Sequence, residues 1–219
     1  MNAKISVLII SICSLLASSF AAAEIAEVYS WKANPGKAAA MMESMAAAKA
    51  IHEKFGIKVH AYATTMGTDG FIDYVMRYDS MEDWGAARDA MNGSAEWNQY
   101  WNETQQNAAG TLLSSITGMN TNPSVKADSF ADEQVYAVFV WEVAAGRQQE
   151  LLARFAAAEK IHESFGARVE SYIGGIGTPN QLHYVMNYGS WSEMAASQAK
   201  MQTSAAWAKL QADRDPTLA

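Results

Sequence analysis

The stretch Ile51-His52-Glu53-Lys54-Phe55-Gly56 returns later in the chain as Ile161-His162-Glu163-Ser164-Phe165-Gly166, and the same offset holds without a gap on either side of it. It pairs Trp31 with Trp141, Gly36 with Gly146, Tyr62 with Tyr172, Gly67-Thr68 with Gly177-Thr178, Tyr74-Val75-Met76 with Tyr184-Val185-Met186, and Trp97 with Trp207. Of the 80 pairs between 24–103 and 134–213, about 25 are identical, far more than chance supplies. A period of roughly a hundred residues is too long for a solenoid and suits a tandem pair of small domains. The sequence therefore predicts one unit over 24–118, a polar, Pro-containing linker over 119–132, and a second unit over 133–219.

Around the repeated histidine the local signals alternate. Ile25 to Trp31 and Val135 to Trp141 are rich in β-branched and aromatic residues and read as strands. From Pro35 to Phe55 and from Gly146 to Phe165 run strong helix formers, each run closed by a glycine, Gly56 or Gly166. Hairpins follow, Ile57–Thr64 with Phe71–Tyr78 and Ala167–Ile173 with Gln181–Tyr188, around Gly-containing turns. Ser80-Met81-Glu82-Asp83 and Ser190-Trp191-Ser192-Glu193 place a serine three residues before an acid, a capping signal for a further helix. Each unit thus reads as strand, helix, strand, strand, helix. Thr111 to Thr117 supplies a fourth strand for the first unit, and the second lacks a clear equivalent.

That order, with the Trp31, Ile51-His52-Glu53, Phe55-Gly56 and Tyr74-Val75-Met76 stretches, resembles the dimeric α/β-barrel superfamily, which includes NIPSNAP-like and antibiotic-biosynthesis-monooxygenase-like domains. The fold class expected is α+β, two ferredoxin-like repeats. The resemblance implies that the repeats pack sheet to sheet into an intramolecular α/β barrel with helices outside. Some relatives carry haem on a histidine of the second helix, but Gly85–Met91 and Ala195–Met201 contain no histidine, and no cofactor is predicted.

The 219-residue chain begins with Lys4, an uncharged apolar run Ile5–Leu16 and small residues ending at Ala23. This layout predicts a signal peptide over 1–23, cleaved after Ala23, and hence a protein exported to the periplasm or secreted. Cleavage removes Cys13, the single cysteine, so disulfides, thiolate metal sites and thiol nucleophiles are excluded. A net charge of -7 gives no reason to bind nucleic acid or an anionic membrane surface. Half of the residues are hydrophobic, enough for a packed core.

Candidate chemistry centres on the two histidines. Met41, Met45, Ala48, His52 and Phe55 share one helix face, as do Leu151, Phe155, Ala158, His162 and Phe165, which aims both imidazoles at the sheet. Each reads as a general base in a crevice, or as a buried histidine hydrogen-bonded to a tyrosine hydroxyl or a carbonyl near the helix C-terminus. Tyr62, Tyr74, Tyr78 and their counterparts Tyr172, Tyr184 and Tyr188 are candidate crevice residues for an apolar or aromatic molecule, or ordinary core. Asp73 with Arg77 suggests an ion pair at the barrel rim, replaced by His183 and Asn187 in the second unit; all four are candidate ligand contacts. Trp31 and Trp141, at the ends of equivalent first strands, are expected to be largely buried.

His52 and Glu53 are adjacent and about 100° apart on a helix, so they do not chelate one ion, and no metal is predicted. A phosphate loop and a Ser or Cys nucleophile motif are both missing. The reading is a small-molecule-binding barrel protein whose reaction is unknown, with a cofactor-independent oxygenase or isomerase, or a structural assembly module, as alternatives. A homo-oligomer is compatible with all three.

Overall fold

The computed structural model describes residues 23–67, 70–130 and 134–219. The expected signal peptide therefore lies, but for Ala23, outside the described residues. The elements are β1 (Ile25–Ala33), α1 (Ala38–Glu53), β2 (Lys58–Ala63), β3 (Phe71–Tyr78), α2 (Met81–Asn92), α3 (Ala95–Gln106), β4 (Gly110–Asn120), β5 (Val135–Glu142), α4 (Gln148–Ser164), β6 (Arg168–Gly174), β7 (Gln181–Tyr188), α5 (Trp191–Gln202) and α6 (Ala205–Ala212). No described helix is long and apolar enough to cross a membrane. The protein is α+β and forms two compact units: residues up to Met119 with Pro123–Ser129, and Asn120–Asn122 with Phe130–Ala219.

In the first unit β1 is central, antiparallel to β3 on one side and to β4 on the other, and β2 pairs outside β3. Alternation along the strands sends Ile25, Ile72, Tyr74, Met76 and Tyr78 to the face that packs on Met41, Met45 and Ala48 of α1 and on Ala87 and Met91 of α2. The second unit repeats the order, with β7 between β5 and β6. Its core gathers Leu151 and Phe155 of α4 with Leu182, Tyr184, Met186 and Tyr188 of β7. On the side of β6 away from β7 lies the Asn120–Asn122 segment, where Thr121 N–H donates to the Ser171 carbonyl at 2.9 Å. Among the described residues no strand follows β7. The chain returns past α6 instead, burying Leu218 in the core and giving its carbonyl to the Ala144 N–H at 3.0 Å.

Both histidine helices stop where the sequence places a glycine. Gly56 takes a φ of 77° and Gly166 one of 98°. This is a left-handed turn that L side chains resist. Just beyond it, the Ile57 and Ala167 N–H groups close back on the His52 and His162 carbonyls. Each histidine is thereby set in a helix's last turn, against the sheet.

Three expectations need correction. The last helix of each unit is two helices, because Ser94 and Ser204 cap new starts by accepting the Trp97 and Trp207 N–H groups at 3.2 and 3.1 Å. Trp31 and Trp141 are half-buried rather than core, packed at the cluster edges. The stretch 119–132 is not a bare linker: Met119 and Asn120 end β4, and Val125, Ala127 and Phe130 are buried around a 3-10 turn at Ala127–Phe130.

Candidate functional site

In the first unit, Nδ1 of His52 lies 2.7 Å from the Tyr74 hydroxyl, and the imidazole meets Trp97 of α3 at 4.6 Å between centroids. In the second, Nδ1 of His162 lies 2.7 Å from the Tyr184 hydroxyl, and Trp207 of α6 stands at 4.7 Å. Both histidines are buried, and Nε2 of each has no hydrogen-bond partner. Burial, with Arg88 adding to it, holds the His52 pKa down to about 4, and burial lowers that of His162. Burial also raises the phenols of Tyr74 and Tyr184. Each pair is therefore a neutral imidazole on a neutral phenol at pH 7, with one ring nitrogen left for another group. The tautomer decides whether that nitrogen donates or accepts.

Around these matching pairs the units diverge. In the first, Glu27 sits beneath α2 and is almost fully buried. Its carboxylate accepts from the hydroxyls of Tyr29 at 2.7 Å and Tyr78 at 3.1 Å and from the Trp84 indole at 3.0 Å, and Arg88 lies at 3.6 Å. Arg88 also donates to the Tyr29 hydroxyl at 3.0 Å. Tyr100 of α3 reaches across to Ser44 of α1, hydroxyl to hydroxyl at 2.7 Å, and tightens that side. A recess of about 500 Å³ elsewhere on this unit is lined by Lys54, Lys58, Tyr78, Asp79, Asp83 and Asp128, away from His52. Its charges are largely answered: Lys54 pairs with Glu96, Asp79 accepts the Ala127 N–H, and Asp83 accepts from Ser80.

At the matching positions the second unit keeps the tyrosine, Tyr188 for Tyr78, but has Ala137, Phe139, Met194 and Gln198 in place of Glu27, Tyr29, Trp84 and Arg88, and Arg154 and Leu210 in place of Ser44 and Tyr100. The polar network is gone, and a crevice of about 360 Å³ opens between α4, β7 and the α5–α6 arm. Trp141, Phe155, Trp207, Met186 and Leu218 form its apolar walls, with His162 and Tyr184 among them and Arg154, Arg214 and Asp215 as the charged lining. Phe155 packs edge-on against Tyr184 at 5.0 Å. The network and the crevice escape a reading by motif, since they come from single substitutions scattered over several elements. The signal was present only in a comparison of the repeats.

The other candidates separate by sheet face. Tyr62 lies opposite Asp73, and Tyr172 opposite His183, so these tyrosines point away from the helices while Tyr74, Tyr78, Tyr184 and Tyr188 point toward them. The six tyrosines therefore do not line one crevice. Asp73 and Arg77 do not pair either: four residues along a strand separate them by about 13 Å. Asp73 instead accepts from Ser30 at 2.5 Å, and Arg77 forms a buried bridge to Glu24 at 2.7 Å. His183 and Asn187 share the face of Tyr172, outside the crevice, and the Asn187 amide donates to the Arg168 carbonyl at 3.3 Å. Tyr188 is fully buried beside the crevice and bonds Ser197. Among the described residues, no three His, Cys, Asp or Glu side chains converge as a metal would require.

No protein-family model matches the chain, and no curated protein is significantly similar to it. Solved structures are. A candidate monooxygenase from Fusobacterium nucleatum matches with a TM-score of 0.58 at 15% identity, over 90% of this chain and 88% of that one. An anthrone oxidase-like protein matches with a TM-score of 0.53 at 12% identity, over 86% and 84%. A NIPSNAP-like domain protein from Burkholderia xenovorans aligns with 45% of this chain and 84% of its own, at 17% identity and a TM-score of 0.37. At these identities the likeness of the first two is one of fold, α+β and ferredoxin-like.

Proposed function

We propose that the protein is an exported binding protein for a small apolar or aromatic molecule, held in the crevice of its second unit. The observation that carries this reading is the contrast at matching positions. Where the first unit buries a polar network around Glu27, the second leaves an aromatic-walled space of about 360 Å³ with His162 and Tyr184 among its lining. A space of that size is within the range of small-ligand sites. The ungapped register between the two halves supports an origin by tandem duplication. Export rests on the Lys4 to Ala23 layout.

A second reading is favoured by His162 itself. Burial keeps the ring unprotonated at pH 7, the state in which an imidazole accepts a proton, and the residue lines the crevice, as a cofactor-independent oxygenase or isomerase requires. The oxygenase and oxidase names among the fold neighbours agree with that reading.

Mass spectrometry of small molecules released from protein purified from its own host tests the binding reading. A stoichiometric aromatic or aliphatic compound supports it. A chain free of any such compound, which also ignores a panel of aromatic probes in solution, contradicts it.

A further inference from the structure

We propose that the ligand of the second unit's crevice is an amphipathic anion, an aromatic or aliphatic carboxylate whose charged end is taken by Arg154 and Arg214. This deepens the binding reading above and rests on it.

Two guanidinium groups line a space whose walls are otherwise mainly apolar. Arg154, on α4, gives one N–H to the Leu210 carbonyl at 2.9 Å. Most of its five donors are thus left without a protein acceptor among the described residues. Arg214 gives none of its guanidinium donors to a protein acceptor among those residues. Its guanidinium lies over the Trp141 ring, 5.7 Å from the centroid. That cation–π contact leaves its N–H groups free to bond. The acid beside them is already engaged. Asp215 accepts from Arg147 at 2.8 Å and from the Thr217 N–H and hydroxyl at 2.9 and 2.7 Å. Arg147 in turn grips Glu150.

The crevice thus presents unspent planar donors of the kind that grip a carboxylate through paired hydrogen bonds. They stand on a chain whose net charge of -7 offers anions no general attraction. The first unit has Ser44 and Thr104 at these positions, both bonded to Tyr100. The pair of cations accompanies the open crevice and not the closed one. A carboxylate between the two arginines would set an attached ring along Trp141, Phe155 and Trp207.

Isothermal titration calorimetry of the full chain with 1-naphthoate and with its neutral analogue 1-naphthalenemethanol tests the assignment. The expected result is binding of naphthoate at least 10-fold tighter than the alcohol, with Arg214→Gln and Arg154→Gln each lowering naphthoate affinity at least 5-fold more than they lower that of the alcohol. Arg154 also anchors α6, so thermal melts accompany its variant, and Arg214→Gln alone decides if that anchor fails. Equal affinity for acid and alcohol, or naphthoate binding untouched by Arg214→Gln, overturns the anionic assignment and leaves the apolar crevice standing; the arginines then serve only to cover apolar surface with their stems. Binding of neither probe overturns the binding reading with it.

Discussion

His162 and Tyr184 are joined by a 2.7 Å contact between Nδ1 and the phenolic oxygen, formed across the interface of α4 and β7 inside the core of the second unit. The bond satisfies one ring nitrogen and leaves Nε2 without a partner beside Trp207. The same arrangement recurs at His52 and Tyr74 in the first unit, so the pair is part of the shared packing, and what sets the second unit apart is the open crevice beside it.

Replacing Tyr184 with Phe strips the remaining partner from a buried imidazole. The expected cost is about 1–3 kcal/mol, the usual loss when a buried polar group goes unsatisfied. Chemical denaturation measures it. Tyr172→Phe, on the other sheet face, leaves probe binding in the crevice unchanged, while Tyr184→Phe alters it.

Acid weakens the fold through the buried histidines. The His52 pKa is held down to about 4 in the folded chain. An unfolded histidine titrates near 6.5. The unfolded state therefore binds more protons between these two values, and the stability present above about pH 6.5 is lost as the pH falls toward 4. Unfolding free energy measured over that range falls with decreasing pH, and His52→Gln makes the slope shallower. A slope identical in the variant contradicts the assignment.

Glu27 carries the heaviest polar burden of the first unit. Its carboxylate is the acceptor for the Tyr29, Tyr78 and Trp84 donors. Glu27→Ala leaves all three without it and is expected to cost about 2–4 kcal/mol, more than a single lost hydrogen bond. Ala137, its counterpart, has no such network, so Ala137→Gly is a mild change. Thermal melts of the two variants give the comparison.

Trp141 is half-buried and lines the crevice, whereas Phe155 is buried against Tyr184. Trp141→Ala is expected to destabilise the chain by less than the roughly 3–5 kcal/mol of a fully buried aromatic, and Phe155→Ala to reach that range. Denaturant midpoints rank them.

Strand and helix order was legible because each signal was local. The Gly56 and Gly166 stops, the Ser80 and Ser190 caps and the alternation in Phe71–Tyr78 all act within a few residues. The split of the last helix was missed because Asn92-Gly93-Ser94 looks like a continuation until Ser94 is seen to cap Trp97. Helix periodicity aims His52 at the sheet, but which hydroxyl it meets, that of Tyr74, depends on how the helix packs on the strands. Grouping Tyr62 with Tyr74 failed because sheet face depends on the register between β2 and β3, which no single strand reveals. The Glu27 network stayed hidden for a further reason: a lone Glu in a strand reads as a solvated residue until Trp84 and Arg88 arrive from another element.

The most direct test of the central claim is equilibrium dialysis of 1-naphthol against the full chain and against Ala158→Phe, a change that fills the crevice from α4. One bound 1-naphthol per chain in the wild type, lost in Ala158→Phe while the melting temperature is kept, is the predicted result. No saturable binding, two equivalent sites per chain, or binding unchanged by the filled crevice contradicts the claim.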